Sequence, residues 1–154
     1  MEPRGVKMEL NRSLTSTVYI VYEKKVLLHK HKRFQTLFPI GGHMLPNELP
    51  HQAAIREALE EAGLEIEIYN TDNALPFTKV KQLIRPAYIL LENIGQEVEN
   101  IDFIYFAKTN TNNVNPQKSE SQELYWLSEE EIKTNPDIKE HIRIMAIEAL
   151  KTVK

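Results

Sequence analysis

The absence of cysteine is the first constraint, because it excludes thiol catalysis, disulfide bonds and cysteine-ligated zinc. An excess of positive charge is also lacking: the formal net charge is -3, so there is no global basic field to hold bulk nucleic acid. No apolar run approaches the length of a membrane span, and the charged stretch from Met1 to Ser13 lacks the apolar region of a secretory signal. These absences predict a cytoplasmic protein with neither a membrane nor bulk nucleic acid as partner.

The length and composition favour a single domain. A chain of 154 residues with 42% hydrophobic residues can form one packed core. The sequence contains no internal repeat, low-complexity tract or linker that would separate a second domain. We therefore expect one domain over residues 1–154.

The most informative stretch is Gly41 to Leu64, which combines a Gly-Gly pair with closely spaced carboxylates. Pro50 suits the first turn of a helix and Gly63 suits its end, which predicts a helix over residues 49–62. Helical spacing then places carboxylates on one face, from Glu57, Glu60 and Glu61. The opposite face is apolar and should pack on a sheet through Ala54, Ile55, Ala58, Leu59 and Ala62.

Carboxylates three and four residues apart repel one another on a helix, and only Arg56 offsets their charge locally. A divalent cation would remove the repulsion, and hard oxygen ligands suit Mg²⁺ or Mn²⁺. Gly41 and Gly42 allow the backbone to approach a metal or phosphate closely. The alternative interpretation of this segment alone is an acidic helix on the protein surface.

The spacing of the whole stretch resembles the signature of the Nudix hydrolases. Gly42 is followed after five residues by Glu48, and after seven more by Arg56-Glu57-Ala58-Leu59-Glu60-Glu61-Ala62-Gly63-Leu64. Ala58 stands where the family prefers a larger aliphatic residue, which affects packing below the helix and leaves the carboxylates unchanged. The resemblance spans residues 42–64 and implies an α/β fold, a Nudix-type α/β/α sandwich around a mixed β-sheet.

By this resemblance, we expect a Nudix pyrophosphohydrolase that requires Mg²⁺, with Mn²⁺ as an alternative. The substrate class would be a nucleoside diphosphate linked to another moiety: a nucleoside triphosphate, a nucleotide sugar or ADP-ribose, or a dinucleoside polyphosphate. The alternative function is a non-catalytic sensor that binds nucleotides on the same fold. Family members often dimerise, so the resemblance also allows a homodimer. The sequence does not identify the substrate-binding residues.

The resemblance also assigns roles to residues within the signature. Glu60 and Glu61 would be the primary metal ligands, and Glu57 would be either a further ligand or the general base. The carbonyl of Gly41 would complete the metal site. Arg56 would orient the carboxylates as part of the catalytic group.

A further catalytic glutamate is expected outside the helix. Nudix enzymes often use one from the loop before a strand that carries tryptophan, which indicates Glu120, with Glu123 as the alternative. Glu120 therefore competes with Glu57 for the role of base. Glu48 is expected to stabilise the loop and helix rather than to take part in the chemistry.

The remaining pattern predicts strands and a second main helix. The expected strands are 14–22 and 26–31 as a hairpin, 64–69, 83–92 and 101–108 as an antiparallel pair, and 123–128. A capping box at Ser128 predicts a short helix, and an amphipathic pattern predicts a packing helix over 138–153.

Two sets of titratable side chains lie outside the signature. His29 and His31 share a strand face, but without a third ligand we favour an exposed polar face over a metal pair. Asp102 begins an apolar strand, and we interpret it as a structural or edge carboxylate rather than a ligand.

Overall fold

One mixed β-sheet organises the chain, and the computed structural model describes it over residues 11–154. Within that range the chain forms eight strands and three helices: β1 Asn11–Tyr22, β2 Lys25–Lys30, β3 Leu37–Phe38, β4 Ile40–His43, α1 Pro50–Ala62, β5 Glu67–Ile68, β6 Tyr88–Gly95, β7 Val98–Lys108, β8 Leu124–Ser128, α2 Glu129–Thr134 and α3 Glu140–Thr152.

Strand β1 is the centre of the sheet. It forms the predicted antiparallel hairpin with β2 through a two-residue turn, in which Glu23 and Lys24 have φ of 45° and 63°. The same edge of β1 pairs with β4 over Thr15 to Val18. Along its other edge, β1 runs parallel to β7, from Asn11 opposite Val98 to Val21 opposite Lys108. This single parallel pairing makes the sheet mixed, as predicted.

The alternation of side chains along β1 builds a core on each face of the sheet. Tyr19 and Val21 join the core that packs against α3, which includes Ile142, Met145 and Ala146. Val18 and Ile20 join the opposite core, which packs against Ala54, Ala58 and Ala62 of α1. The layered arrangement is therefore the predicted α/β/α sandwich. The small side chain of Ala58 is fully buried and lets α1 lie close to the sheet.

Two predicted strands are shorter than their patterns indicated. The segment 64–69 contains only β5, whose two residues pair with Lys108 and Ala107. The pairing ends there because β6 takes over the same edge of β7 from Ile104 onward. Strand β6 begins at Tyr88 and not at Leu83, because Pro86 lacks the N–H that a ladder requires.

The C-terminal predictions are close to the structure. Ser128 and Glu131 form the predicted capping box: Glu131 N donates to Ser128 Oγ at 3.3 Å, and Ser128 N donates to Glu131 Oε1 at 2.9 Å. The last helix is slightly shorter than predicted and begins at Glu140. In residues 11–154, none of the helices is long and apolar enough to cross a membrane. The expectation that residues 1–13 do not form a secretory signal concerns a stretch that lies largely outside the described part of the chain.

Candidate active site

Helix α1 carries the candidate carboxylates and is fixed at both ends by local hydrogen bonds. Leu49 N donates to the Gln52 side chain at 2.9 Å, and Pro50 begins the helix as predicted. Gly63 ends it in the left-handed region with φ 66°, and its N–H donates to Leu59 O at 2.9 Å. One expectation for the apolar face is wrong: Leu59 is 47% exposed, because the sheet meets the alanine stripe beside it.

Arg56 joins three of the acidic side chains. Its Nε and Nη2 donate to the two oxygens of Glu48, at 2.7 and 3.1 Å. Its Nη1 donates to Glu57 Oε1 at 2.5 Å and to Glu60 Oε1 at 3.2 Å. These bonds raise the pKa of Arg56 well above its ordinary value, and the Glu48 hydrogen bond makes the largest contribution. Since Nη2 also donates to His43 O at 3.1 Å, Arg56 ties the loop after β4 to the helix.

Glu61 is the buried member of the acidic group, with 8% of its surface exposed. Its Oε1 accepts from Gly41 N at 2.8 Å, and its Oε2 lies 3.9 Å from His29 Nε2. Burial, with a smaller contribution from the Glu57 and Glu120 carboxylates, raises the pKa of Glu61 to about 9, although the Gly41 hydrogen bond opposes the rise. Burial also raises the pKa of Glu57, although Arg56 opposes that rise. The Glu57 and Glu61 carboxyl groups are thus neighbours in a region that water reaches poorly.

Both glycines of the Gly41-Gly42 pair stand where a side chain would collide, Gly42 with the Glu57 carboxylate and Gly41 with the backbone of β1. A Cβ on Gly42 would lie 3.0 Å from Glu57 Oε2, and a Cβ on Gly41 would lie 2.4 Å from Ser16 O. In a strand, the N–H and C=O of one residue point to the same edge. Because Gly41 N–H points to Glu61, the Gly41 carbonyl also faces away from β1, on the edge beside Glu61.

The loop before β8 brings one glutamate toward Glu61. Glu120 lines the same cleft as Glu61 and is close enough to raise its pKa. Glu123 is exposed and accepts from the Tyr125 hydroxyl at 3.1 Å, away from the cleft. Lys32 donates to Ser119 O and so holds the loop next to Glu120.

A cleft of about 380 Å³ adjoins these groups. Its wall includes Gly41, Gly42, Glu61 and Glu120 among the predicted site residues. Arg56 and Glu60 line a separate depression on the exposed side of α1. The structure therefore gathers the predicted residues into one neighbourhood, but only part of the set faces the cleft.

The donor chemistry of this neighbourhood suits Mg²⁺, because it consists of carboxylate and carbonyl oxygens. The Glu57 and Glu61 carboxyl groups interact with each other, and burial is the largest cause of the raised pKa of each. In residues 11–154, however, no three His, Asp or Glu side chains converge as a metal-binding group. Arg56 engages the Glu57 and Glu60 oxygens that a cation would use.

The structure corrects the exposed polar face expected for His29 and His31, and it excludes the edge position that was one of two options for Asp102. His29 is buried at 8% exposure against Glu61, so it does not form an exposed polar face with His31. His31 instead packs against the tilted rings of Phe34 and Phe38, with ring centroids 4.7 and 4.8 Å away. A histidine within an otherwise apolar strand, VLLH, was the signal for burial.

Asp102 lies on the cleft wall and not at an edge of the sheet. Its Oδ1 accepts from Thr15 Oγ1 at 3.1 Å and from Thr17 Oγ1 at 2.9 Å. Burial raises the pKa of Asp102, against the two threonine hydrogen bonds. The sequence signal was the alternate spacing of Thr15 and Thr17, which puts both on one face of their strand, and the acidic Asp102 between Ile101 and Phe103 on another strand.

Comparisons with known proteins agree with the geometry. The family model described as the NUDIX domain matches residues 12–146. A hydrolase of the NUDIX family from Clostridium perfringens is similar at 41% identity with a TM-score of 0.87, over 94% of this chain and 100% of that one. No curated protein matches the sequence.

More distant structures share the fold. A MutT protein from Methanosarcina mazei Go1 is 17% identical with a TM-score of 0.72, over 94% of this chain and 97% of that one. An Ap4A hydrolase from C. elegans, solved as a binary complex, is 20% identical with a TM-score of 0.61, over 93% of this chain and 94% of that one. At these identities the likeness concerns the fold alone.

Proposed function

The chain belongs to the Nudix hydrolase family, whose members are pyrophosphohydrolases, and we propose that it cleaves the pyrophosphate bond of a nucleoside diphosphate linked to another moiety with the help of Mg²⁺. The observation that carries this proposal is the abutting Glu57 and Glu61 pair beside the Gly41-Gly42 backbone. Mn²⁺ is the alternative ion.

Four groups would hold the cation: the carboxylates of Glu57, Glu60 and Glu61 and the carbonyl of Gly41. Glu57 and Glu60 would first have to exchange their Arg56 hydrogen bonds for the ion. Arg56 would then stay bound to Glu48 through its two remaining donors and keep the helix and loop in register. When bound, Mg²⁺ neutralises diphosphate oxygens and makes a water more acidic.

Glu120 is the better candidate for the general base. It lies on the cleft wall and is only partly buried, so its carboxylate can reach an incoming water. Glu57 is held at 2.5 Å by Arg56 and abuts Glu61, which suits a ligand more than a group that must accept a proton. We therefore assign the base to Glu120 and a ligand role to Glu57, with Arg56 as the group that positions Glu57.

A test of the metal assignment is Glu60→Gln, which keeps the shape of the side chain and removes its charge. We expect kcat to fall by about 100-fold or more on the cleaved substrate, because loss of a ligand removes several kcal/mol of charge stabilisation. The measurement is product release from a panel of nucleoside triphosphates, nucleotide sugars, ADP-ribose and dinucleoside polyphosphates with Mg²⁺ or Mn²⁺.

The matched control is Glu65→Gln, since Glu65 is exposed just beyond the helix. It should leave kcat within about twofold of the wild type. Unchanged turnover by Glu60→Gln at saturating Mg²⁺ would contradict the metal assignment. Binding of a nucleotide by the wild type without any turnover would favour the alternative, a non-catalytic sensor. Cytoplasmic localisation, a single domain over residues 1–154 and a homodimer remain predictions.

A further inference from the structure

A second polar group on the sheet lines the same cleft as Glu61. Thr15 and Thr17 on β1 and Asp102 on β7 share the sheet face that packs against α3. Both threonine hydroxyls donate to Asp102, and Thr17 Oγ1 lies 2.8 Å from Oδ2 and 2.9 Å from Oδ1. The carboxyl group is thereby fixed in orientation on the cleft wall.

This group has more acceptor sites than donors. An ionised carboxylate offers about four lone-pair sites, and the two threonine hydroxyls use two of them. Asn100, two residues earlier on β7, also lines the cleft, and its Oδ1 is buried without a hydrogen-bond partner among residues 11–154. Unsatisfied buried acceptors are unfavourable, so this position is suited to a ligand that supplies N–H or O–H donors.

Carboxylates predominate in this part of the cleft, where Asp102 and Glu92 both line the wall and make it unfavourable for phosphate. Burial is the largest cause of the raised pKa of the Tyr19 phenol, and the Asp102 and Glu92 carboxylates act in the same direction. Glu92 lies 3.4 Å from His141, so its charge is partly compensated. Among the described residues that line the cleft, Lys32 is the one lysine or arginine, and it lies beside the Glu120 loop. A substrate would therefore place its phosphates near Lys32 and an uncharged part near Asp102.

Thr17 brings the Asp102 group close to the metal-side backbone. Gly41 is opposite Thr17 on β1, and Thr17 Oγ1 lies 3.0 Å from the position of a Cβ on Gly41 and 2.8 Å from Asp102 Oδ2. One substrate can therefore contact both groups. Phe38 and Ile104 add flat and apolar surface to the same wall, which suits an aromatic ring.

We propose that Asp102, oriented by Thr15 and Thr17 and assisted by Asn100, determines substrate specificity by accepting hydrogen bonds from adjacent N–H groups on a nucleobase, the pattern that guanine presents. This deepens the proposed function, on which it rests, by naming the class of base. Adenine offers an acceptor in place of the ring N–H and would leave one carboxylate oxygen unpaired.

The test uses nucleosides, which carry no phosphate, so that neither metal binding nor turnover enters the result. Guanosine, inosine, adenosine and D-ribose are titrated into the full chain, and binding is followed by amide chemical shifts. Guanosine should bind at least about tenfold more tightly than adenosine, with inosine between them because it lacks the second donor. The shifts should be largest at Thr15, Thr17, Asn100 and Asp102.

The variant Asp102→Asn keeps the shape of the side chain and replaces one acceptor with a donor. It should reduce the preference for guanosine over adenosine to about twofold or less. The control Asp137→Asn makes the same change at an exposed position and should keep the full preference. Equal binding of the three nucleosides, no nucleoside binding, or D-ribose binding as tightly as guanosine would each overturn the proposal.

A preference that survives in Asp102→Asn would overturn it too. If that variant does not fold, the selectivity and the shift pattern of the wild-type chain still decide the question. A guanosine preference in a chain that hydrolyses none of the panel would contradict only the hydrolase assignment, so the two failures are distinguishable.

Discussion

At the level of single residues, Glu61 differs most from an ordinary surface carboxylate, since burial raises its pKa to about 9. A carboxyl group whose pKa is higher in the folded than in the unfolded state favours folding when protonated. Its contribution is complete below the unfolded pKa of 4.5 and is lost as the pH rises toward about 9. The metal-free protein should therefore become less stable over that window.

We predict that the unfolding free energy of the metal-free chain falls by at least about 1 kcal/mol between about pH 5 and about pH 8. Glu61→Gln should remove most of this slope, because glutamine does not titrate. Mg²⁺ should raise the stability of the wild type more at the higher pH, where the carboxylate is ionised. Urea unfolding at several pH values measures all three effects, and an equal slope in wild type and Glu61→Gln would refute this account.

The residues of the site were only partly predictable. Glu57, Glu60 and Glu61 could be placed on one helical face because the positions are three and four residues apart and the helix has local start and stop signals. The contact of His29 with Glu61, and that of Thr17 with Asp102, join residues far apart in the chain. No local pattern determines which of the polar side chains on different strands will meet.

At the level of elements, the end of α1 depends on Gly63. Its φ of 66° is unfavourable for a residue with a side chain, and an added Cβ would lie 2.4 Å from Asn115 O. That neighbour belongs to the loop that leads to Glu120, and Asn115 N donates to Ala62 O at 2.8 Å. The helix end and the Glu120 loop are thus packed backbone to backbone.

Gly63→Ala should lower the unfolding free energy by about 1–3 kcal/mol. The alanine would have to adopt a left-handed backbone conformation, and its Cβ would collide with Asn115. Gly95→Ala is the matched control, because a Cβ there would meet no atom within 4 Å, and it should change stability by about 0.5 kcal/mol or less. Thermal unfolding of the two variants measures the difference. Equal effects of the two substitutions would contradict a specific role for Gly63.

At the level of the whole molecule, β1 links the two cores, because its successive residues alternate between the α1 and α3 faces. Ile20 is fully buried in the α1-side core, while its neighbours Tyr19 and Val21 belong to the other. Loss of packing on one face should therefore reduce the stability of the whole sheet rather than of one layer.

We predict that Ile20→Ala lowers the unfolding free energy by about 2–5 kcal/mol while unfolding remains a single transition. Ile144→Ala, at a position that is 51% exposed on α3, should change it by less than about 1 kcal/mol. Trp126 fluorescence, which reports on the α1-side core, is compared with far-UV circular dichroism during urea unfolding. Separate midpoints for the two signals would show that the layers unfold independently.

The sequence by itself determined the hairpin, the bounds of α1, the capping box at Ser128 and the family, because each depends on residues within a few turns or on fixed spacing. Tertiary structure decided the parallel pairing of β1 with β7, the late start of β6 and the contacts of His29 and Asp102. These features depend on which strands compete for one sheet edge and which faces meet. Such contacts between distant segments are chosen by the packing of the whole chain, and a local pattern does not contain them.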